Sequence, residues 1–267
     1  MKDYLIKFEQ DSDRHIKEIC DNIYRFYQST GSKGFVIGMS GGLDCALVGA
    51  LTAKANVPIM AVTMPFEVDK SVQRRKGLDH AKELCEAFNI PLYTVDISKA
   101  VNDIYQQLEK SIKLDFSNER LAKANVLPRV RMTNLYLLAQ LTDRLVIGTG
   151  NLSEIVMGYF TKWGDGGYDY NPIKHLTKSE AYILARKIGV PLSIVEKIPS
   201  ADLWDNQSDE DEMGINYNDL DTFILTGKGD EKIKAHIERS LKRNKHKYYF
   251  NLIEQLEKYE WLEDIIK

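Results

Sequence analysis

The residues of this chain best placed to do chemistry are Ser40, Gly41, Gly42 and Asp44, in the stretch FVIGMSGGLDCALVGALTAK at residues 35–54. An apolar run breaks into glycines and then resumes with Leu43, Leu47, Val48 and Leu51 at helical spacing. That pattern predicts a buried strand, a glycine turn and a helix. Glycines there permit positive φ and close approach of a ligand, while the unpaired N–H groups and positive dipole end of the new helix face the same point. The chemistry implied is anion binding, most naturally of phosphate. A βα turn that merely needs glycine is the plainer reading of Gly-Gly alone. Asp44 weighs against it, because a carboxylate beside a phosphate cradle calls for a divalent cation between them, as a magnesium nucleotide supplies. No lysine follows the glycines and no G-x-G-x-x-G is present, so neither the Walker A loop nor the Rossmann fingerprint applies.

A second chemical stretch is GTGNLSEIVMGYFTKWGDGGYDYNP, residues 148–172. It opens with the same strand, glycine and helix logic and puts Glu154 in the first helical turn, where it can share a cation with Asp44. Complementarity to the helix dipole is the default explanation for such a glutamate. Beyond it, Lys162, Trp163, Asp165, Tyr168 and Asp169 surround Gly164, Gly166 and Gly167. This polar, aromatic and flexible mixture suits enclosure of a ligand, with a plain surface loop as the alternative.

The elements that must position these residues alternate along the chain. An amphipathic helix at residues 4–27 precedes strands expected at 35–39, 58–64, 91–96 and 144–148, with helices after residue 43, at 72–88, and two across 97–141. The order predicts an open parallel sheet covered by helices on both faces, followed by a more helical C-terminal part. Ligands then collect beyond the carboxyl ends of the strands, where residues 38–44, 63–66 and 148–154 converge.

Composition bounds the function. A chain of 267 residues can bury a full core, and a net charge of −3 favours neither nucleic acid nor an anionic membrane. Cys20, Cys45 and Cys85 are odd in number, far apart and outside any C-x-x-C, which points to a reducing cytoplasmic setting without disulfides or a zinc knuckle. The first residues carry neither a signal nor a transit pattern, and no apolar run is long enough to span a bilayer. Cys45, in the opening turn of a helix, is expected to alkylate faster than Cys20 or Cys85, a buried inert residue being the alternative.

SGGLDC resembles the SGGxDS loop of the N-type ATP pyrophosphatases. GTGNLSE, GYFTKWGDGGYDYNP, LTKSEAYILARKIGVP and KIPSADLW together resemble the ammonia-dependent NAD synthetases from about residue 35 to the basic cluster near His246. The resemblance implies an adenine nucleotide alpha hydrolase-like fold in a single domain over residues 1–267, without a glutaminase domain. It implies amidation of nicotinate adenine dinucleotide (deamido-NAD) to NAD through an acyl-adenylate, with ATP as cosubstrate, Mg2+ as cofactor and a homodimeric assembly. The apolar face of the first helix is compatible with such a dimer. Carried onto this chain, Gly38, Met39, Ser40, Gly41, Gly42, Leu43, Asp44 and Cys45 hold the ATP phosphates, with Thr149, Lys178 and Ser200 completing the ATP contacts. Asp44 and Glu154 are the magnesium ligands, Arg129, Lys162, Asp169, His246 and Lys247 grip the dinucleotide, and Asp165 handles ammonia.

Three features depart from that family's pattern. Cys45 replaces the serine of SGGxDS, Pro128 precedes Arg129 where alanine is usual, and residues 68–80 match too poorly to assign adenine contacts. SDEDEMG, residues 208–214, reads as a solvated acidic loop whose family counterpart is a mobile lid. Two rivals stand beside this reading. One is an ATP pyrophosphatase that adenylates RNA, which should show C-x-x-C pairs or a basic RNA face; the other is a catalytically impaired nucleotide-binding homologue.

Overall fold

The structure is a computed structural model that describes residues 1–67, 72–112, 119–197 and 208–248. Four strands, β1 (Phe35–Gly38), β2 (Ile59–Thr63), β3 (Leu92–Thr94) and β4 (Leu145–Val146), form one parallel sheet in the order β3-β2-β1-β4. The chain therefore winds outward from β1 in both directions, and the switch point lies between β1 and β4, where an open α/β sheet offers a crevice at its carboxyl edge. Each strand lies within the span expected for it and is shorter by one to three residues. Past β4, Gly148 N–H donates to the Tyr170 carbonyl (2.7 Å) and Asp169 N–H to that of Val146 (2.9 Å), so the segment after the glycine loop closes the sheet's edge.

Alternation along the strands accounts for helices on both faces, because successive side chains point to opposite sides. Phe35, Ile37, Ile59 and Ala61 join one core with α2 (Ser12–Thr30), α3 (Leu43–Lys54) and α9 (Lys178–Ile188). Val36, Val62 and Val146 join a second core with α5 (Ser98–Ser111) and α7 (Val126–Thr142). A third core, built from α8 (Leu152–Met157), α12 (Tyr217–Thr226) and α13 (Glu231–Asn244), makes the helical C-terminal part.

Three local readings change. The opening helix is two helices, α1 (Lys2–Gln10) and α2, broken at Asp11. The apolar face of α2 is consumed within the chain: Ile16, Ile19 and Ile23 are buried in the first core, so this face is not free for a partner. Exposed apolar residues remain at Tyr4 and Ile6 on α1 and Tyr24 on α2, and lie also on α5 (Ile104, Leu108) and α7 (Leu137, Leu141), two helices that pack side by side. Between them α6 (Glu119–Ala124) appears as an additional short helix. Pro128 breaks nothing, because it sits in the first turn of α7, where a missing N–H costs no helical bond. The acidic stretch forms a short helix, α11 (Asp209–Met213), and its leading Asp209 is buried. α4 (Val72–Ala87) and α10 (Leu192–Val195) complete the described helices. No helix among the described residues is long and apolar enough to cross a membrane.

Candidate active site

The turn after β1 is built as an anion cradle. Gly41 has φ +78°, and a Cβ added there would lie 2.1 Å from the Gly77 carbonyl oxygen, so only glycine lets α4 close over the loop. Gly42 caps α3 in an extended conformation with no side-chain acceptor, which leaves the first N–H groups of that helix open to a ligand. Ser40 Oγ accepts from Gly42 N–H (3.2 Å) and lies 3.2 Å from Cys45 Sγ. The Cys45 thiol donates to the Gly42 carbonyl (3.2 Å), and its side chain is part of the first core. Cys45 is 4% exposed, so the fast alkylation expected from its place in the helix is not what this burial allows. Burial also pushes the Cys85 thiol up to about 12 and the Cys20 thiol up to about 11.

The helices that follow β4 and the glycine loop bring charge to this cradle. Asn151 and Thr177 each cap a helix with a full capping box, α8 through Glu154 and α9 through Glu180. These caps fix Glu154 in the first turn of α8 and Lys178 at the first position of α9. The Lys178 ammonium, 4% exposed, lies 2.6 Å from Asp44 Oδ2 and 3.5 Å from Glu154 Oε1. Asn151 Nδ2 donates to the other oxygen of Asp44 (3.3 Å), and Glu154 Oε2 accepts from Asn151 N–H (3.2 Å). Burial, and next the charge of Asp44, push the Glu154 carboxyl up to about 8 against the attraction of Lys178. Desolvation works to lower the Lys178 pKa, but Asp44 and next Glu154 together raise it above the ordinary value.

A third carboxyl, Asp209, joins this group. It lies 3.0 Å from the Tyr159 hydroxyl and 3.3 Å from that of Tyr217, and burial raises its pKa against the pull of Lys178. Three acids around one base make an oxygen-rich setting that suits a cation. Among the described residues no group of three His, Cys, Asp or Glu side chains is arranged to hold an ion alone. A metal here would complete its coordination with phosphate oxygens, the usual habit of magnesium.

On the opposite wall, residues 161–167 fold into a tight turn in which Gly164 and Gly166 N–H both donate to the Thr161 carbonyl. A Cβ on Gly166 would fall 2.6 Å from the Phe160 ring, and one on Gly164 would fall 2.9 Å from Pro128, so these glycines allow the turn to pack. Asp165 Oδ1 accepts from Thr161 N–H (2.8 Å). Its carboxyl is open to the crevice yet surrounded by protein on most sides, and that desolvation raises its pKa against the Thr161 bond and the charge of Lys247.

These parts line one crevice of about 460 Å³, whose wall includes Gly38, Met39, Ser40, Gly42, Leu43, Asp44, Cys45, Thr149, Glu154, Asp165, Lys178 and Lys247. Gly41 sits behind this wall, against α4. A smaller cavity of about 50 Å³ adjoins it between Thr149, Glu154, Asp165 and Asn171. Arg129, Lys162, Asp169 and His246 stand outside this wall. Arg129 is exposed and donates to the Lys162 carbonyl (3.2 Å), and Lys162 donates to that of His246 (2.8 Å). Lys247 donates to the Gly158 (2.6 Å) and Phe160 (2.8 Å) carbonyls, strapping the glycine turn to the end of α13. Asp169 accepts from Val146 N–H (2.8 Å) and from Tyr136 (3.3 Å), which occupies it at the edge of β4. Ser200 lies outside the described residues.

Arg131, two residues from the expected Arg129, lines the crevice and donates to the Met64 carbonyl (3.2 Å). The R-V-R spacing alone does not say which arginine turns inward. Asp209 and Asp221 also escape a sequence reading, because each sits among polar residues and its burial comes from the packing of α8, α9 and α12.

Comparison with known proteins agrees with this geometry. The NAD synthase family model matches residues 15–260. The NH(3)-dependent NAD(+) synthetase of Carboxydothermus hydrogenoformans is 38% identical over 223 residues, covering 82% of this chain and 88% of that protein. Among solved structures, an NMN synthetase from Francisella tularensis superposes with a TM-score of 0.83 at 34% identity, covering 90% of this chain and 97% of the other. An NH3-dependent NAD synthetase from Campylobacter jejuni gives 0.71 at 28% identity, covering 89% and 96%. With a family match over most of its length and relatives of this identity and coverage, the chain belongs to the NAD synthase family.

Proposed function

We propose that this chain is a ligase that amidates deamido-NAD to NAD with ATP and ammonia. The observation that carries the reading is one crevice with a lysine-free phosphate cradle on one wall and Asp165 on the other, the acidic cluster beside the cradle being bridged by Lys178. In the first step an oxygen of the nicotinate carboxylate bonds to the α-phosphorus of ATP, and the bond to the β-phosphate oxygen breaks, releasing pyrophosphate. In the second, ammonia bonds to the acyl carbon and AMP leaves with the former carboxylate oxygen. Ammonium must lose a proton to become the nucleophile, and Asp165, whose pKa desolvation raises, is suited to accept it. The small cavity beside Asp165 has room for ammonia, since a water needs only about 10–15 Å³ of such space.

In this reading residues 38–45 and Thr149 receive the phosphates, with Lys178 and Ser200 as further ATP contacts. Magnesium, held by Asp44 and Glu154 together with phosphate oxygens, would neutralise charge on the departing pyrophosphate. Arg131 in the wall and the rim of Arg129, Lys162, His246 and Lys247 provide positive charge for the dinucleotide. Asp169 contributes by holding the edge of β4. The exposed stripes of Ile104 and Leu108 on α5, and of Leu137 and Leu141 on α7, support a homodimer through that face. Three unpaired cysteines support a cytoplasmic setting.

A second reading, amidation of nicotinate mononucleotide, is favoured by the higher TM-score to the NMN synthetase. The deciding experiment supplies ATP, magnesium and 15N-ammonium with either substrate and compares kcat/KM. We expect the dinucleotide to be preferred at least about tenfold, or about 1.4 kcal/mol in transition-state binding. An equal preference for the mononucleotide selects the second reading, and 15N-amide from neither substrate refutes both.

A further inference from the structure

We propose that Lys178 is a built-in counter-ion that occupies the divalent-cation site until a nucleotide arrives, so that metal and nucleotide bind this protein together and not in sequence. The inference rests on the assignment of Asp44 and Glu154 as the cation ligands. Both oxygens of Asp44 are already engaged, one by the Lys178 ammonium at 2.6 Å and the other by Asn151. Glu154 offers Oε1 to the same ammonium at 3.5 Å, while its Oε2 is held by the Asn151 N–H. The place between the two carboxylates is thus filled by a positive charge that belongs to the chain.

That ammonium cannot leave by a shift of the backbone. Lys178 N–H donates to Ser153 Oγ (3.0 Å), the capping box of Thr177 and Glu180 fixes the first turn of α9, and Ser179 is tied to Asp221. Only the side chain can withdraw, and its ammonium also lies 5.2 Å from the centre of the Tyr217 ring. A free metal ion that displaced it would strip a buried ammonium of its two nearest acids and leave only Asp209, already held by Tyr159 and Tyr217, which is costly. Triphosphate in the cradle beside Asp44 changes the balance, because it offers the ammonium a new anionic partner at the moment the metal takes the carboxylates. Lys178 thereby does two things at different times: it neutralises Asp44 beside Glu154 in the free protein, and it stands in for the lysine that the phosphate loop lacks in the loaded one.

The test measures Mn2+ binding to the intact chain by electron paramagnetic resonance, with and without a non-hydrolysable ATP analogue. Lys178→Met keeps the length of the side chain and removes the charge; without nucleotide it should bind Mn2+ at least about tenfold more tightly than the wild type. Adding Asp44→Asn to that variant should abolish the gain, which places the ion. The nucleotide analogue should enhance Mn2+ affinity by a larger factor in the wild type than in Lys178→Met. Should Lys178→Met fail to fold, Lys178→Gln, which can still donate to Asp44, carries the same expectation. A folded variant that binds Mn2+ no better than the wild type overturns the proposal, as does a gain that survives Asp44→Asn. These readouts do not involve turnover, so they fail or succeed independently of the amidation assay.

Discussion

Removing the Asp221 carboxylate should destabilise the protein and loosen the proposed cation site together. Asp221 on α12 is fully buried, and its carboxylate accepts from Ser153 Oγ, from Ser179 N–H at 2.8 Å and from Ser179 Oγ at 2.6 Å. Ser153 precedes Glu154 and Ser179 follows Lys178, so one carboxylate pins the neighbours of both groups. Asp221→Ala strands the buried Ser153 hydroxyl and the N–H and hydroxyl of half-buried Ser179 at about 1–3 kcal/mol each, or about 3–5 kcal/mol in total if the hydroxyls find partial replacements. For a chain of this size each kcal/mol lowers the melting temperature by about 2–4 °C, so the expected drop is about 6–20 °C. Asp221→Asn should cost less, about 1–3 kcal/mol, because its amide can donate to Ser153 while its oxygen keeps both bonds to Ser179. Scanning calorimetry on the metal-free protein measures both changes. A melting temperature for Asp221→Ala within about 2 °C of the wild type, less than one buried bond is worth, would refute the reasoning.

Gly41→Ala should lose nucleotide binding and more stability than Gly31→Ala. Both sites have positive φ, worth about 1–2 kcal/mol against alanine, but only at Gly41 does the added methyl also strike backbone, 2.1 Å from the Gly77 oxygen. Urea melts that give equal losses would contradict this. Glu154, held at about 8 against an ordinary 4.5, keeps a proton that the unfolded chain releases, so metal-free stability should fall as pH rises between those values. Glu154→Gln should flatten that slope in melts at several pH values, and parallel profiles would count against it. Leu141→Glu, at a position 74% exposed on α7, should leave the fold intact and turn a dimer into a monomer by light scattering. A wild type that is already monomeric would remove the α5–α7 face as an interface.

The strands and the glycine turn after β1 were legible in the sequence because they depend on local pattern: alternation buries residues 35–37 on two faces, and Gly41 answers a backbone demand that no other residue meets. That Glu154 and Asp165 face one crevice was legible through their glycine-rich settings. The chain did not reveal the resting partner of Lys178. It was expected at phosphate and is found on Asp44, a contact 134 residues away in sequence. Asp209 was read as solvated because an acidic run usually is, whereas α11 turns its first residue inward against two tyrosines. Arg131 and Arg129 differ only in which side of α7 they occupy, and that depends on how the helix lies against β2 and the glycine turn.

The order of bond making in the crevice is most directly tested by isotope transfer. Deamido-NAD carrying 18O in both nicotinate carboxylate oxygens, incubated with the protein, ATP, magnesium and ammonium, should yield AMP with one 18O in its phosphate, unlabelled pyrophosphate and NAD that retains one 18O in its amide. Label in inorganic phosphate with release of ADP, or NAD formed while AMP stays unlabelled, would contradict attack of the carboxylate on the α-phosphate and with it the central claim.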